Sequence, residues 1–154
     1  MRRLVSAILA TAMIATTVPL GALSTASASE EGFPLFYEGT AADIFVSDED
    51  YPQIIRAAGD LQEDVNRVTE TTPSVENSTE DLSEYAVIVG SIEQSPVIKQ
   101  LMEDGKLDEA KDITGKWESY VIKRVENPVD GVAEALVIAG SDKRGTIYGI
   151  YDVS

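Results

Sequence analysis

Ala135-Leu136-Val137-Ile138-Ala139-Gly140-Ser141-Asp142-Lys143-Arg144-Gly145-Thr146-Ile147-Tyr148-Gly149-Ile150-Tyr151 is the stretch from which the fold is read. Ala135 to Ala139 is an unbroken apolar run stopped by Gly-Ser-Asp. A run that short, rich in branched residues and ended by glycine, reads as a strand buried on both faces. After Gly145 the period changes. Ile147, Ile150 and Tyr151 fall on one helical stripe, with Tyr148 beside it. The stretch is therefore strand, tight loop, helix. Burying Leu136, Val137 and Ile138 contributes roughly 5–9 kcal/mol before entropy, at about 1.5–3 kcal/mol for each side chain.

The sequence reaches Ser154 inside that helix, with no glycine, asparagine or proline stop signal. This predicts a fragment cut before the end of its domain partner, a last helical turn that frays, and an apolar, tyrosine-tipped side left open. The function of the parent protein is then not carried by these residues alone.

At the other end, Met1-Arg2-Arg3 is a basic start and Leu4 to Leu23 is mostly apolar. Ala26-Ser27-Ala28 follows as an A-x-A cleavage site, then acidic Ser29-Glu30-Glu31. Those features predict a secretory signal peptide over 1–28, cleaved after Ala28, and a secreted, extracellular domain over 29–154. Thr16, Thr17, Pro19 and Gly21 interrupt the apolar stretch and argue against a membrane anchor.

The formal net charge is −15 for 154 residues. Without Arg2 and Arg3 the balance is ten basic residues against 27 acidic, or −17. Phosphate contacts need clustered Lys and Arg, so nucleic acid is excluded as a partner, as is an anionic membrane surface. Cysteine and histidine are both absent. No disulfide can staple the domain, so packing must hold it. A zinc site lacks its usual ligands, and no Ser-His or Cys-His nucleophile pair can form. No cofactor is expected. Acid–base chemistry within this chain would fall to Asp, Glu, Lys or Tyr.

Between these ends, Glu30 to Gly39 carries Phe33, Pro34, Phe36 and Tyr37 and reads as an extended edge. Ala42 to Ser47 contains the strand candidate Ile44-Phe45-Val46, and Ser47-Asp48-Glu49-Asp50 supplies N-cap residue types with favourable negative charge. From Tyr51 the apolar residues Ile54, Ile55, Ala58, Leu61, Val65 and Val68 recur at helical spacing, with Pro52 in the first turn. Glu70 to Glu84 is a polar loop in which Pro73-Ser74-Val75 pairs briefly at a sheet edge. Asn77-Ser78-Thr79 in it matches a glycosylation sequon, read as a chance match. Tyr85 to Ser91 is a second buried strand, also ended by Gly-Ser. Ser95-Pro96 opens a helix that Gly105 ends, and Leu107 to Ile113 gives a further short helical turn. Trp117 to Val125 alternates as a strand with one wetter face, and Asn127 to Gly131 is a turn that allows an antiparallel pair. The order βα(β)βαββα predicts an α/β fold, an α+β sandwich with helices packed on a mixed sheet.

Two chemical motifs fail on inspection. Gly140-x-x-x-x-Gly145 starts like a P-loop, but Thr146 stands where lysine is required. Asp48-Glu49-Asp50 lacks the spacing and glycine of a calcium loop and reads as a solvated helix start.

Gly140-Ser141-Asp142-Lys143-Arg144-Gly145-Thr146-Ile147-Tyr148-Gly149-Ile150-Tyr151-Asp152-Val153-Ser154 resembles the end of the N-terminal domain of glycoside hydrolase family 115, the xylan α-1,2-glucuronidases. Its Gly-x-Asp-x-Arg-Gly-x-x-Tyr-Gly-x-Tyr pattern is similar, more loosely, to the N-terminal domains of family 67 glucuronidases and family 20 hexosaminidases. The resemblance runs from about Phe33 to Ser154. It implies a non-catalytic accessory domain of a secreted enzyme. That enzyme would remove α-1,2-linked (4-O-methyl)glucuronic acid from xylan by inversion, its carboxylates lying on a barrel that follows. Glucuronoxylan would be met through that barrel, and no catalytic, cofactor-binding or metal-ligating residue is carried over to this chain.

The glycine pattern has its own chemistry. Gly140 lets the chain leave the strand, while Gly145 and Gly149 let the helix approach the sheet. Asp142 can cap the helix, and Arg144 can reach a carboxylate. The loop and helix then have two readings. They are packing within the domain, or Asp142, Lys143, Arg144, Tyr148 and Tyr151 form the face that docks on the barrel. The rival classes are a free-standing polysaccharide-binding module, which needs exposed aromatics on one face, and a purely structural domain.

Overall fold

The structure is a computed structural model and describes residues 32–154. The signal-peptide reading of 1–28 lies outside the described residues. Five strands make the main sheet: β3 (Asp43–Val46), β4 (Val75–Glu76), β5 (Tyr85–Ser91), β6 (Tyr120–Glu126) and β7 (Glu134–Gly140), in the order β4-β3-β5-β7-β6. All neighbours are parallel except β6, which runs antiparallel to β7 with Tyr120 opposite Gly140 and Glu126 opposite Glu134. The Asn127–Gly131 turn makes that pairing, closed by the Asn127 N–H bonding Ala133 O at 2.8 Å. The expected mixed α/β architecture holds.

The two apolar runs are the middle of the sheet. Ala86 to Ser91 on β5 is fully buried, as are Ala135 and Val137 to Gly140 on β7. Helices α1 (Pro52–Thr69) and α4 (Lys143–Val153) cover one face, meeting Ile44, Val87, Val89 and Ile138. Helices α2 (Pro96–Glu103) and α3 (Glu109–Ile113) lie with the cluster of Phe45, Ile88, Val125 and Val137 on the other face. Covering both faces is what allows parallel strands to be continuously apolar. No described helix is long and apolar enough to cross a membrane.

Four expectations need correction. The leader is not an extended edge: β1 (Phe36–Tyr37) and β2 (Thr40–Ala41) form a separate hairpin. Its turn residues Glu38 and Gly39 both have positive φ, 49° and 84°, which matches the twist of a tight hairpin.

The acidic run before α1 does not cap it. Tyr51 is the N-cap residue, with no side-chain cap bond, and Pro52 takes the first turn. Asp50 is instead turned inward and buried. It accepts from the Ser91 N–H and Ser91 hydroxyl, both at 2.8 Å, and from the Tyr51 N–H at 2.9 Å.

Val68 is on the predicted stripe but 85% exposed. An 18-residue helix is about 27 Å long and outruns seven-residue strands of about 23 Å, so its last turn has no sheet beneath it.

The sheet-facing side of α4 is Gly145, Thr146, Gly149 and Ile150, with Tyr148 and Tyr151 outside. Ile150 is buried and Ile147 packs on the core as the stripe predicts, but Gly145, Thr146 and Gly149 share the contact line and the two tyrosines lie off it. A Cβ on Gly149 would stand 2.8 Å from Ile138 Cγ2. The last turn is tied to α1: the Tyr151 hydroxyl donates to Asp60 at 2.7 Å and the Ser154 hydroxyl donates to Asp64.

Candidate functional site

The carboxyl ends of β3, β5 and β7 share one rim, and a network of hydrogen-bonded polar groups lies along it. The chain leaves β3 for a helix on one face and leaves β5 for a helix on the other. In open α/β sheets that reversal opens the crevice where ligands bind. Here Asp50 and Ser91 close its floor through the buried bonds described above. Tyr51 stands above them, its hydroxyl donating to Glu93 at 2.8 Å. The Lys143 ammonium sits 5.9 Å from the centre of the Tyr51 ring, a cation–π distance. A hydrogen bond from Gln94 favours the Tyr51 phenolate, but the Glu93 carboxylate and desolvation outweigh it and push the phenol above its usual range.

The next part of the rim is the β7–α4 junction. Asp142 is the N-cap of α4, its Oδ1 accepting from the Gly145 N–H at 2.8 Å. Its Oδ2 accepts from the Glu118 N–H at 3.0 Å. Desolvation opposes the charged carboxylate, yet the amides of Glu118, Gly145 and Arg144 with the Arg144 charge prevail, and Asp142 titrates below its ordinary value. Ser141 fixes the adjacent turn: its N–H donates to Ser119 O at 2.8 Å, its hydroxyl donates to the same oxygen at 3.0 Å, and it accepts from the Ser119 N–H at 3.1 Å. The Arg144 guanidinium pairs with Glu118 at 2.7 Å, which raises the arginine further above its already high range.

This arrangement holds charge and orients a turn. Among the described residues no group of three His, Cys, Asp or Glu is placed to hold a metal ion. Four rim carboxylates are engaged: Asp50 with Ser91, Glu93 with Tyr51, Glu118 with Arg144, and Asp142 with backbone amides.

The family model described as "Glycosyl hydrolase family 67 N-terminus" matches residues 34–153. This chain belongs to that family. Among solved structures, the family 67 N-terminal domain seen here is similar to one described as a novel family GH115 4-O-methyl-α-glucuronidase, BtGH115A, with specificity for decorated arabinogalactans. The identity is 27% and the TM-score 0.59, over 77% of this chain and 13% of that one. No curated protein matches. The expected family 115 likeness is thus to about an eighth of that relative, and the family shown is the family 67 N-terminus.

Within this family 67 domain, the residues singled out from sequence fall in two places. Asp142, Lys143 and Arg144 come together at the rim. Tyr148 and Tyr151 lie on the outward side of α4, 47% and 51% exposed. Asp142 caps the helix and Arg144 finds a carboxylate, as expected, but Asp142 is occupied within the domain and Tyr151 is bonded to α1. Gly140 is needed for closeness to Thr146, not for an unusual turn. Sequence reading missed Asp50, Ser91 and Glu118. The serine ending each buried strand, Ser91 and Ser141, was the available signal.

Proposed function

We propose that this chain is the non-catalytic N-terminal domain of a secreted glycoside hydrolase that removes α-1,2-linked (4-O-methyl)glucuronic acid from xylan with inversion. Membership of the family 67 N-terminus over residues 34–153 is the observation that carries the reading. The rim supports it from the other side, since Asp50 and Asp142 are engaged in holding the fold. The reactive acid and base then belong to a following barrel, which meets glucuronoxylan. Inversion requires that pair to stand about 6.5–9.5 Å apart, with room for water.

In this reading the outward side of α4, with Tyr148 and Tyr151, packs on the barrel. Tyrosine suits such a contact because its ring is apolar and its hydroxyl stays paired. Residues 1–28 direct secretion and are removed after Ala28, which N-terminal sequencing of the exported protein tests.

A second reading differs only in polymer. The similar solved structure is described as specific for decorated arabinogalactans, which makes that polymer class the alternative substrate. The test is proton NMR of the longer parent enzyme acting on glucuronoxylan and on glucuronic acid-bearing arabinogalactan. The xylan reading expects faster release from glucuronoxylan, with the β-anomer of the uronic acid appearing first. Faster release from arabinogalactan selects the second reading, and an α-anomer first refutes inversion.

A further inference from the structure

Trp117 is the only tryptophan in the sequence, and it is 88% exposed, the most exposed large hydrophobic side chain described. It is carried by a turn that several hydrogen bonds hold. Glu118 has φ +52°, a conformation that costs energy in a residue with a side chain. That strain is held by the rim: Asp142 takes the Glu118 N–H, and Ser141 brackets Ser119 from both sides. The Ser119 hydroxyl then donates back to Trp117 O at 3.0 Å. Gly145 lies so close to the Ser119 backbone that no side chain would fit between them. A strained, over-determined turn that presents one bare aromatic ring is a feature of a binding surface.

We propose that Trp117, with the adjacent Glu118 and its partner Arg144, is a binding site for the neutral main chain of a polysaccharide. The inference rests on the carbohydrate-active reading above and adds a subsite that this domain itself supplies. The neighbourhood decides between partners. The core of a protein–protein contact is enriched in Trp and Arg but depleted in Lys, Glu and Ser. Trp117 is flanked in the chain by Lys116, Glu118 and Ser119, with Arg144 paired to Glu118, and all four are exposed or half-exposed. That mixture suits a pyranose ring. Its C–H face lies on the electron-rich face of the indole, and its hydroxyls meet the planar carboxylate and guanidinium at the edge. Net charge decides between sugars. At −15 the chain repels a polyanion, so the favoured ligand is the undecorated backbone and not its uronic acid branches. The domain would hold bare main chain while the barrel works on a neighbouring branch.

The sole tryptophan makes the test direct. Indole emission of the chain is titrated with xylohexaose and with glucuronoxylan, and retardation in gels containing debranched xylan is measured for wild type, Trp117→Ala and Arg144→Gln. The expected result is a saturable shift in emission with xylohexaose. Glucuronoxylan should bind more weakly at low salt, with the gap closing as salt rises. Trp117→Ala should lose at least about tenfold in affinity and Arg144→Gln several-fold, with unchanged circular dichroism. Full retardation of Trp117→Ala overturns the proposal, as does an emission response to the acidic polymer alone. So does a shift induced by the rest of the parent enzyme with none from sugar, which makes Trp117 a docking residue for protein. Loss of uronic acid release by the parent, with xylohexaose binding intact, counts against the enzyme reading and leaves this site standing.

Discussion

Gly145, in the first turn of α4, lies against the backbone carbonyl of Ser119, 26 residues earlier, too close for any side chain. That contact seats the helix on the strand β6 end of the sheet and fixes the turn that carries Trp117. Gly145→Ala must therefore push α4 off its seat. It should destabilise by about 1–3 kcal/mol, the range for overpacking a close contact. Gly59→Ala is the control. Gly59 is inside α1 with open space where a Cβ would go, so alanine should stabilise by about 0.5–1 kcal/mol. Urea melts of both variants check the opposite signs.

Ile138 is completely buried at the centre of β7, whereas Glu63 is exposed on α1. Ile138→Asp places an unpaired carboxylate in the core at a cost of several kcal/mol and should abolish the cooperative melt. Glu63→Ala should stay within about 0.5 kcal/mol of wild type. A near-normal melt for Ile138→Asp would mean that the core is assigned wrongly.

Asp50 links the ends of β3 and β5 by accepting from both Ser91 donors. Asp50→Ala strands a buried N–H and hydroxyl, and should cost about 1–3 kcal/mol for each group left unpaired. Asp50→Asn keeps an acceptor and should recover part of the loss. Hydrogen exchange at the Ser91 amide should accelerate in the alanine variant before distant strands are affected.

The pH dependence follows from Asp142. Its folded value is lowered, so its contribution is fully present above the unfolded carboxylate range and is lost as pH falls through the folded value. Wild type should exceed Asp142→Asn in stability at neutral pH. The difference should shrink once pH drops below about 4, where the unfolded carboxyl titrates. Thermal melts from pH 7 to pH 2 read this directly, and a constant difference across the range would contradict it.

The sheet was legible because Tyr85 to Ser91 and Ala135 to Gly140 advertise buried strands by composition alone. The helix cap at Asp142 was legible because the cap and its amide lie three residues apart. Local spacing could not say which carboxylate Arg144 would reach, since Glu118 is distant in the chain. Asp50 misled for a related reason: an acidic residue before a helix looks like a cap until a strand 41 residues later offers it better donors. Trp117 was assigned to a strand by alternation, although β6 begins only at Tyr120. Its exposure follows from the turn at Glu118, whose positive φ is imposed by β7 and α4 and has no signature in the local sequence. In α4 the stripe of Ile147 and Ile150 was legible and does face the core, but Tyr148 and Tyr151 do not, because the close approach at Gly145 and Gly149 turns them outward.

The central proposal is that this family 67 N-terminal domain belongs to a glucuronidase whose chemistry lies outside it. The most direct measurement is release of 4-O-methylglucuronic acid from glucuronoxylan, run side by side on the isolated 154-residue chain and on the longer parent enzyme. The account predicts no release above an inactive control from the chain alone and sustained turnover from the parent. Turnover by the isolated chain, or none by a folded parent on any uronic acid-bearing polysaccharide, would contradict it.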